Sequence, residues 1–156
     1  MLNLYRSVTH KNNGKVTVSV SSFVPKSHTS FQWFGQLPIE EIERKQQYIK
    51  GLIRDKHISY HYHDAKTGRL EATFARGDRR MGKVLYEAWK LGCKFDGWTE
   101  MFDYDRWMKA FELAGIDSDT TRLETAASTR PCPGITSPAE ATKNYLKQEW
   151  KRAERA

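Results

Sequence analysis

The stretch that decides the fold runs from Phe74 to Trp107 and reads FARGDRRMGKVLYEAWKLGCKFDGWTEMFDYDRW. It predicts two helices joined by a corner that contains glycine. In the first helix, apolar residues recur at helical spacing at positions 81, 84, 85, 88 and 91. Asp78 can cap the start of this helix, and Gly92 stands where a left-handed C-terminal cap belongs.

The second helix of this pair is predicted to start at Asp103, which can act as its N-cap. Phe102 before the cap and Trp107 after it occupy the two positions of a hydrophobic staple. Gly115 then ends the helix. The pattern predicts a helical pair but names no function.

Upstream of this pair, the chain predicts a strand followed by a helix. Lys15–Phe23 alternates valines with small polar residues, which is typical of a strand with one buried face. Ile39–Asp55 carries a helical apolar stripe, with glutamates in its first turn. A strand, a loop and a helix in this order match one unit of a βα barrel, so we predict an α/β fold.

A second strand is predicted from His57 to His63, where apolar and polar residues alternate again. One face carries Ile58, Tyr60 and Tyr62, and the other carries His57, Ser59, His61 and His63. Asp64–Gly68 is expected to be a turn. Arg69–Phe74 then either returns as a short strand or extends into the helix that follows.

The two ends of the chain carry weaker signals. Leu2–Val8 is expected to be a short helix, and residues 116–138 an irregular segment rich in Asp, Ser, Thr and Pro. Ser137–Glu140 is a capping box that opens a final basic helix. This helix is predicted to reach about Arg152, with Leu146, Trp150 and Ala153 on one face.

Composition limits the class of protein. The 156 residues suffice for one ordinary domain or for part of a larger one. No apolar run approaches the roughly 20 residues needed to cross a bilayer, so we expect no membrane contact. Two unclustered cysteines favour a reducing cytoplasm. The net charge of +7 is dispersed, which favours a basic surface over a dedicated polyanion site.

The first candidate site is the loop after the first strand, because active sites of βα barrels lie at the carboxyl ends of their strands. The polar residues of this loop can hold a ligand, and its aromatic residues can pack on a ring. The alternative is that the loop only packs on its neighbouring helix. The predicted ligand-binding residues are Ser21, Ser22, Lys26, His28 and Gln32.

The second candidate site is an anion site formed by Arg76, Arg79 and Arg80 at the start of the first helix of the pair. The favoured alternative is that Asp78 pairs with these neighbouring arginines. The histidine face of the second strand has a spacing that suits zinc, but no further ligand stands nearby in sequence. We therefore predict no metal site. Cys93 is expected to pack beneath a helix end.

Four segments, in this order, resemble one protein family: FVPKSHTSFQW, FARGDRR, GCKFDGW and FDYDRW. They are similar to the C-terminal region of radical S-adenosylmethionine (SAM) proteins of the cobalamin-binding type. The resemblance implies that residues 1–56 form the last strand–helix unit or units of a partial TIM-type barrel. Residues 57–115 would then be a strand plus helical-pair extension, and residues 116–156 a tail with the final basic helix.

The same resemblance implies a function. The complete enzyme would use SAM and a four-iron four-sulfur cluster for radical chemistry on an unknown substrate, and the loop residues would contact SAM or that substrate. The family's CxxxCxxC cluster motif is missing here, since the only cysteines are Cys93 and Cys132. We therefore expect the chain to need an upstream radical SAM core, in the same or a companion chain, and assign no catalytic residue. The alternative is a basic module that binds RNA or another protein.

Overall fold

The computed structural model describes residues 4, 7, 15–118, 143–153 and 155. This part of the chain is mixed α/β and forms two compact units, Met1–Phe23 with Leu37–Gly68 and Val24–Gln36 with Arg69–Ala156. In chain order its elements are β1 Val16–Val20, α1 Ile39–Leu52, β2 Ile58–Tyr62, α2 Ala65–Arg76, α3 Met81–Lys90, α4 Tyr104–Ala114 and α5 Lys143–Ala153. Several predictions lie outside the described residues: most of the Leu2–Val8 helix, residues 119–142 with the Ser137–Glu140 capping box, and Cys132.

In the first unit, β1 and β2 pair in parallel, in a register that runs from Val16 opposite Ile58 to Val20 opposite Tyr62. Both predicted strands are thus confirmed, although β1 ends at Val20 and not at Phe23. The three valines of β1 are half-buried while Thr17 and Ser19 are exposed, as the alternation predicts. Helix α1 lies between the two strands in sequence, so β1, α1 and β2 form a βαβ unit.

Helix α1 begins after Pro38 and has Glu40 and Glu41 in its first turn. Acidic residues in this position interact favourably with the positive end of the helix dipole. The helix ends at Leu52, before the predicted end, because Ile53 adopts an extended conformation with φ −92° and ψ 101°.

The predicted turn at Asp64–Gly68 is wrong, because helix α2 begins at Ala65. Of the two alternatives for Arg69–Phe74, the short strand is wrong and the helix is confirmed, although α2 ends at Arg76 and does not run into α3. Asp64 stands just before the helix, and its Oδ1 accepts from the backbone N of Thr67 at 2.8 Å and from its hydroxyl at 3.1 Å. This is the hydrogen bonding of a helix N-cap. Glycine signals a turn only by propensity, and at Gly68 the cap and the packing of α2 outweigh it.

The predicted helical pair is confirmed in the second unit, where α3 and α4 supply most of the core. Met81, Val84 and Ala88 of α3 pack in one buried cluster with Trp107 and Phe111 of α4. Phe102 is partly buried against this cluster, which places both residues of the predicted staple in the core. Leu85 is the exception on α3: about half of it is exposed.

Three of the four predicted caps of the pair are present, but the predicted N-cap Asp78 is wrong. Helix α3 begins only at Met81, its N-cap position is Arg80 without a side-chain cap hydrogen bond, and Asp78 Oδ1 instead accepts from the backbone N of Arg80 at 2.9 Å. Asp103 Oδ1 accepts from the backbone N of Arg106 at 3.0 Å at the start of α4. Gly92 and Gly115 have φ values of 89° and 66°, the left-handed conformation that glycine adopts without strain. Past the end of α3, Cys93 N donates to Ala88 O at 3.0 Å, as in a Schellman motif.

The final basic helix is confirmed as α5. Leu146 is buried, and Trp150 lies 5.8 Å from Trp33 between ring centroids. Ala153, predicted on the same face, is exposed. None of the helices described is long and apolar enough to span a lipid bilayer.

Candidate functional site

A pocket of about 190 Å³ lies at the carboxyl end of β1, within the first unit. Two of the predicted ligand-binding residues, Ser21 and Ser22, belong to its lining. The Ser22 hydroxyl is buried and has no hydrogen-bond partner among the described residues. The pocket is therefore mainly apolar, with one hydroxyl to which no described residue hydrogen-bonds. The lining consists of Val20, Ser21, Ser22, Phe23, Leu37, Ile42, Lys45, Gln46 and Ile49.

One residue of this pocket, Gln46, connects it to the end of β2. Gln46 is buried on α1, and its Nε2 donates to the backbone O of His63 at 2.8 Å. The His63 ring and the Ser22 side chain both lie close to Gly68: a Cβ at Gly68 would stand 3.3 Å from His63 Nδ1 and 3.7 Å from Ser22 Cβ. Gly68 thus leaves room for the imidazole beside Ser22, where the carboxyl ends of both strands meet.

The sheet face opposite the valines is polar and open. Thr17 and Ser19 of β1 and Ser59 and His61 of β2 are all exposed on it. The register sets Thr17 opposite Ser59 and Ser19 opposite His61. The described residues contain no group of three or more His, Cys, Asp or Glu side chains placed to hold a metal ion.

The other three predicted ligand-binding residues belong to the second unit, in the loop Val24–Gln36. Lys26 is exposed, and its Nζ forms an ion pair with Glu71 Oε1 of α2 at 2.8 Å. His28 is exposed and has a φ of 62°, an uncommon conformation for a residue with a side chain. Gln32 is only 2% exposed, so it is part of the packed base of the loop.

Arg76 connects this loop to α2. Its Nη1 donates to the backbone O of Phe34 at 2.6 Å, and Ser27 Oγ lies 3.5 Å from Ala75 O nearby. Arg76 is almost fully buried as a residue. The sequence analysis treated the loop and the arginines as two separate candidate sites. The hydrogen bond between Arg76 and Phe34 joins them.

The two remaining arginines of the predicted anion site differ from Arg76. Arg80 pairs with Asp78, with Nη2 at 2.9 Å from Oδ2 and Nε at 3.0 Å from both carboxylate oxygens. Hydrogen bonds from the Arg80 side chain and backbone lower the pKa of Asp78. This is the pairing that the sequence offered as the alternative. Arg79 is exposed.

Cys93 is buried beneath the end of α3, as predicted. Burial raises the pKa of its thiol, and the negative charge of Asp96 raises it further. A redox cysteine needs the opposite shift, because the thiolate is the reactive form. Cys93 therefore has the properties of a packing residue.

Sequence reasoning missed Gln46 and the contact between Arg76 and Phe34. A glutamine inside the apolar stripe of a helix is a usable signal, since buried polar side chains are nearly always hydrogen-bonded. No local pattern marks the acceptor of Arg76, because Phe34 stands 42 residues away in sequence.

The chain matches no protein-family model, and no curated protein and no solved structure is found to be similar to it.

Proposed function

We propose that this chain is the C-terminal portion of a radical SAM enzyme and that it completes the barrel of an upstream core. The family is what the resemblance of the four sequence segments implies, and the structural observation that best supports a barrel segment is the parallel pairing of β1 and β2. Parallel sheets occur almost only in proteins that cover both faces of the sheet. The described part of the chain has a two-stranded sheet with an open polar face. Such a sheet fits a barrel segment whose other strands come from elsewhere.

In such a barrel, the exposed polar face of the sheet would line the interior. In a barrel, the side of a strand that faces away from the helices lines the interior. Thr17, Ser19, Ser59 and His61 would line that interior, and Ser21 and Ser22 would lie at its mouth. Hydroxyls and an imidazole in these positions are suited to hydrogen-bond the polar parts of SAM or of a substrate.

The iron–sulfur cluster would belong to the upstream core, because this chain does not fit it. A cubane cluster needs about three or four thiolates, and the sequence has two cysteines far apart. In the complete enzyme, the cluster and SAM together would supply the radical chemistry. The residues of this chain would bind and orient the ligand, in the cytoplasm, without taking part in electron transfer.

One observation favours the alternative of a protein-interaction module. Large apolar side chains on α3 and in the corner after it are well exposed, and Tyr86 stacks on Trp89 with centroids 6.0 Å apart. Acidic and basic residues alternate around them, which favours a protein over RNA as the partner. The exposed residues are Leu85, Tyr86, Trp89, Phe95, Trp98 and Met101.

The deciding experiment supplies an upstream radical SAM core, fused to this chain or co-expressed with it, under anaerobic conditions. Release of 5′-deoxyadenosine after reduction, and SAM binding by calorimetry, are compared with and without the chain. We expect both to require the chain. Ser22→Ala should weaken binding by roughly threefold to tenfold, the effect of one hydrogen bond. Ser30→Ala removes a hydroxyl that does not line the pocket and is the matched control.

Equal SAM cleavage with and without the chain would contradict this function. If the core instead co-purifies with the chain only while Trp89 and Trp98 are intact, and SAM binding is unchanged, the interaction module is the correct interpretation.

A further inference from the structure

We infer that Arg76 and Trp150 form a binding site for a small oxyanion, a carboxylate or a phosphate, in the second unit. This inference does not depend on the radical SAM proposal, since none of its residues belongs to the pocket or to the sheet. It rests on buried hydrogen-bond donors that have no acceptor among the described residues.

Arg76 is the first of these donors. The residue is only 5% exposed, and within the described chain its one hydrogen bond is the one to Phe34 O. Its Nε is buried and has no partner among the described residues. A guanidinium has five N–H donors and keeps its positive charge at all relevant pH values. A buried charge is strongly unfavourable without a counterion, and none of the described residues supplies one to Arg76, so this position is expected to receive an anion.

Trp150 is the second donor. Its indole Nε1 is likewise buried without a partner among the described residues. The ring is held by aromatic contacts, 5.8 Å from Trp33 and 6.4 Å from Phe34 between centroids. Arg76 of α2 thus donates to the carbonyl of Phe34, and Trp150 of α5 lies near the ring of the same residue.

The chemistry of the two groups selects the ligand. An indole N–H and a guanidinium can only donate, so the ligand must present acceptors. The positive charge favours an anion, and an arginine edge binds two oxygens of a carboxylate or phosphate side by side. A water molecule could accept the hydrogen bond of the Trp150 indole, but it could not neutralise the positive charge of Arg76. Arg80 is unsuited to this role, because Asp78 already neutralises it.

The indole resonance of Trp150 gives a direct test in the full chain labelled with ¹⁵N. Trp150→Phe assigns this resonance among the five tryptophans of the sequence. Inorganic phosphate and acetate are titrated separately at constant ionic strength. We expect a saturable shift of the Trp150 N–H and of Arg76 Nε–H, and the anion that saturates first identifies the class of ligand.

Arg76→Lys keeps the charge but removes the Nε donor, so it should weaken binding at least tenfold. Arg79→Lys is the matched control on the exposed neighbour and should bind as the wild type does. If Arg76→Lys does not fold, Trp150→Phe takes its place, with Arg76 Nε–H as the probe and a weaker affinity expected. Resonances that respond to neither anion, or equal affinities in all variants, would overturn the site. Success or failure of the SAM assay has no bearing on this result.

Discussion

The side chain of Gln46 on α1 donates to the backbone O of His63, which follows β2, across 2.8 Å. This hydrogen bond holds α1 against the carboxyl end of the sheet, next to the pocket that contains Ser22. An acceptor that lies just beyond a strand would otherwise need water or another donor. The Gln46–His63 bond therefore couples the stability of the first unit to the shape of its pocket.

Gln46→Ala should destabilise the protein by about 1–3 kcal/mol, because it removes the donor and leaves the His63 carbonyl less well satisfied. Gln47→Ala, on the exposed side of the same helix, is the matched control and should change stability by less than about 0.5 kcal/mol. Urea unfolding followed by circular dichroism measures both. Equal urea midpoints for the two variants would show that water replaces the Gln46 donor without loss of stability.

Gly77→Ala should destabilise the second unit by about 1–3 kcal/mol, as expected for overpacking. A Cβ at this position would lie 2.4 Å from Met81 Cγ and 3.0 Å from the backbone O of Thr73. The control, Gly82→Ala, adds the same methyl group within α3, where nothing lies within 4 Å. It should stabilise the helix by about 0.5–1 kcal/mol. The unfolding temperatures of the two variants should therefore shift in opposite directions. A shift in the same direction would contradict the close packing at Gly77.

Asp103→Ala should cost about 1 kcal/mol, the usual effect of removing an N-cap. Its carboxylate accepts from Arg106 N at 3.0 Å and also lies 3.2 Å from the Arg106 guanidinium. Asp105→Ala removes a charge in the first turn of α4 but no cap, so a few tenths of a kcal/mol are expected. Denaturant unfolding of the two variants separates the cap from the charge. A larger effect at Asp105 would mean that charge outweighs the cap.

The sequence predicted well those elements whose determinants are local. The apolar spacing of α3, the cap at Asp103 and the terminating glycines Gly92 and Gly115 act within a few residues of each other, so pattern alone locates them. The valine alternation of β1 likewise predicted which face is buried. The first turn of helix α2 was predicted as a turn, because Gly68 has a turn propensity that its packing against His63 and Ser22 overrides.

The candidate site was less predictable than the fold, for a physical reason. Gln46 and His63 are 17 residues apart, and Arg76 and Phe34 are 42 apart. Such contacts depend on how elements pack and leave no periodic trace in sequence. The burial of Gln32 was also not predictable from local sequence, because its polar side chain and its position in a loop favoured exposure.

The isolated chain should not bind a four-iron four-sulfur cluster, since a cubane needs about three or four thiolates. Anaerobic reconstitution with iron and sulfide, followed by metal analysis and visible absorption, tests this. We expect less than one iron per chain after desalting. About four irons per chain with a charge-transfer band would mean that the chain, or an oligomer of it, assembles a cluster site without the upstream core.

The Cys93 thiol should react slowly in the folded protein, because burial and the charge of Asp96 raise its pKa. In a Cys132→Ser background, which leaves Cys93 as the only thiol, labelling by a thiol reagent at neutral pH should be much slower than in denaturant. The raised pKa also fixes the sign of a pH effect. Its stabilising contribution is complete below the unfolded thiol's pKa of about 8.5 and is lost as pH rises through the folded value.

The same background therefore gives a second measurement. Between about pH 8 and pH 10, unfolding midpoints should fall more steeply for the Cys132→Ser protein than for Cys132→Ser/Cys93→Ala, in which the titrating thiol is gone. The difference between the two curves isolates Cys93 from the tyrosines and lysines that also titrate at high pH. Parallel curves, or labelling of folded Cys93 as fast as in denaturant, would show that the thiol is accessible and ionises freely beneath the end of α3.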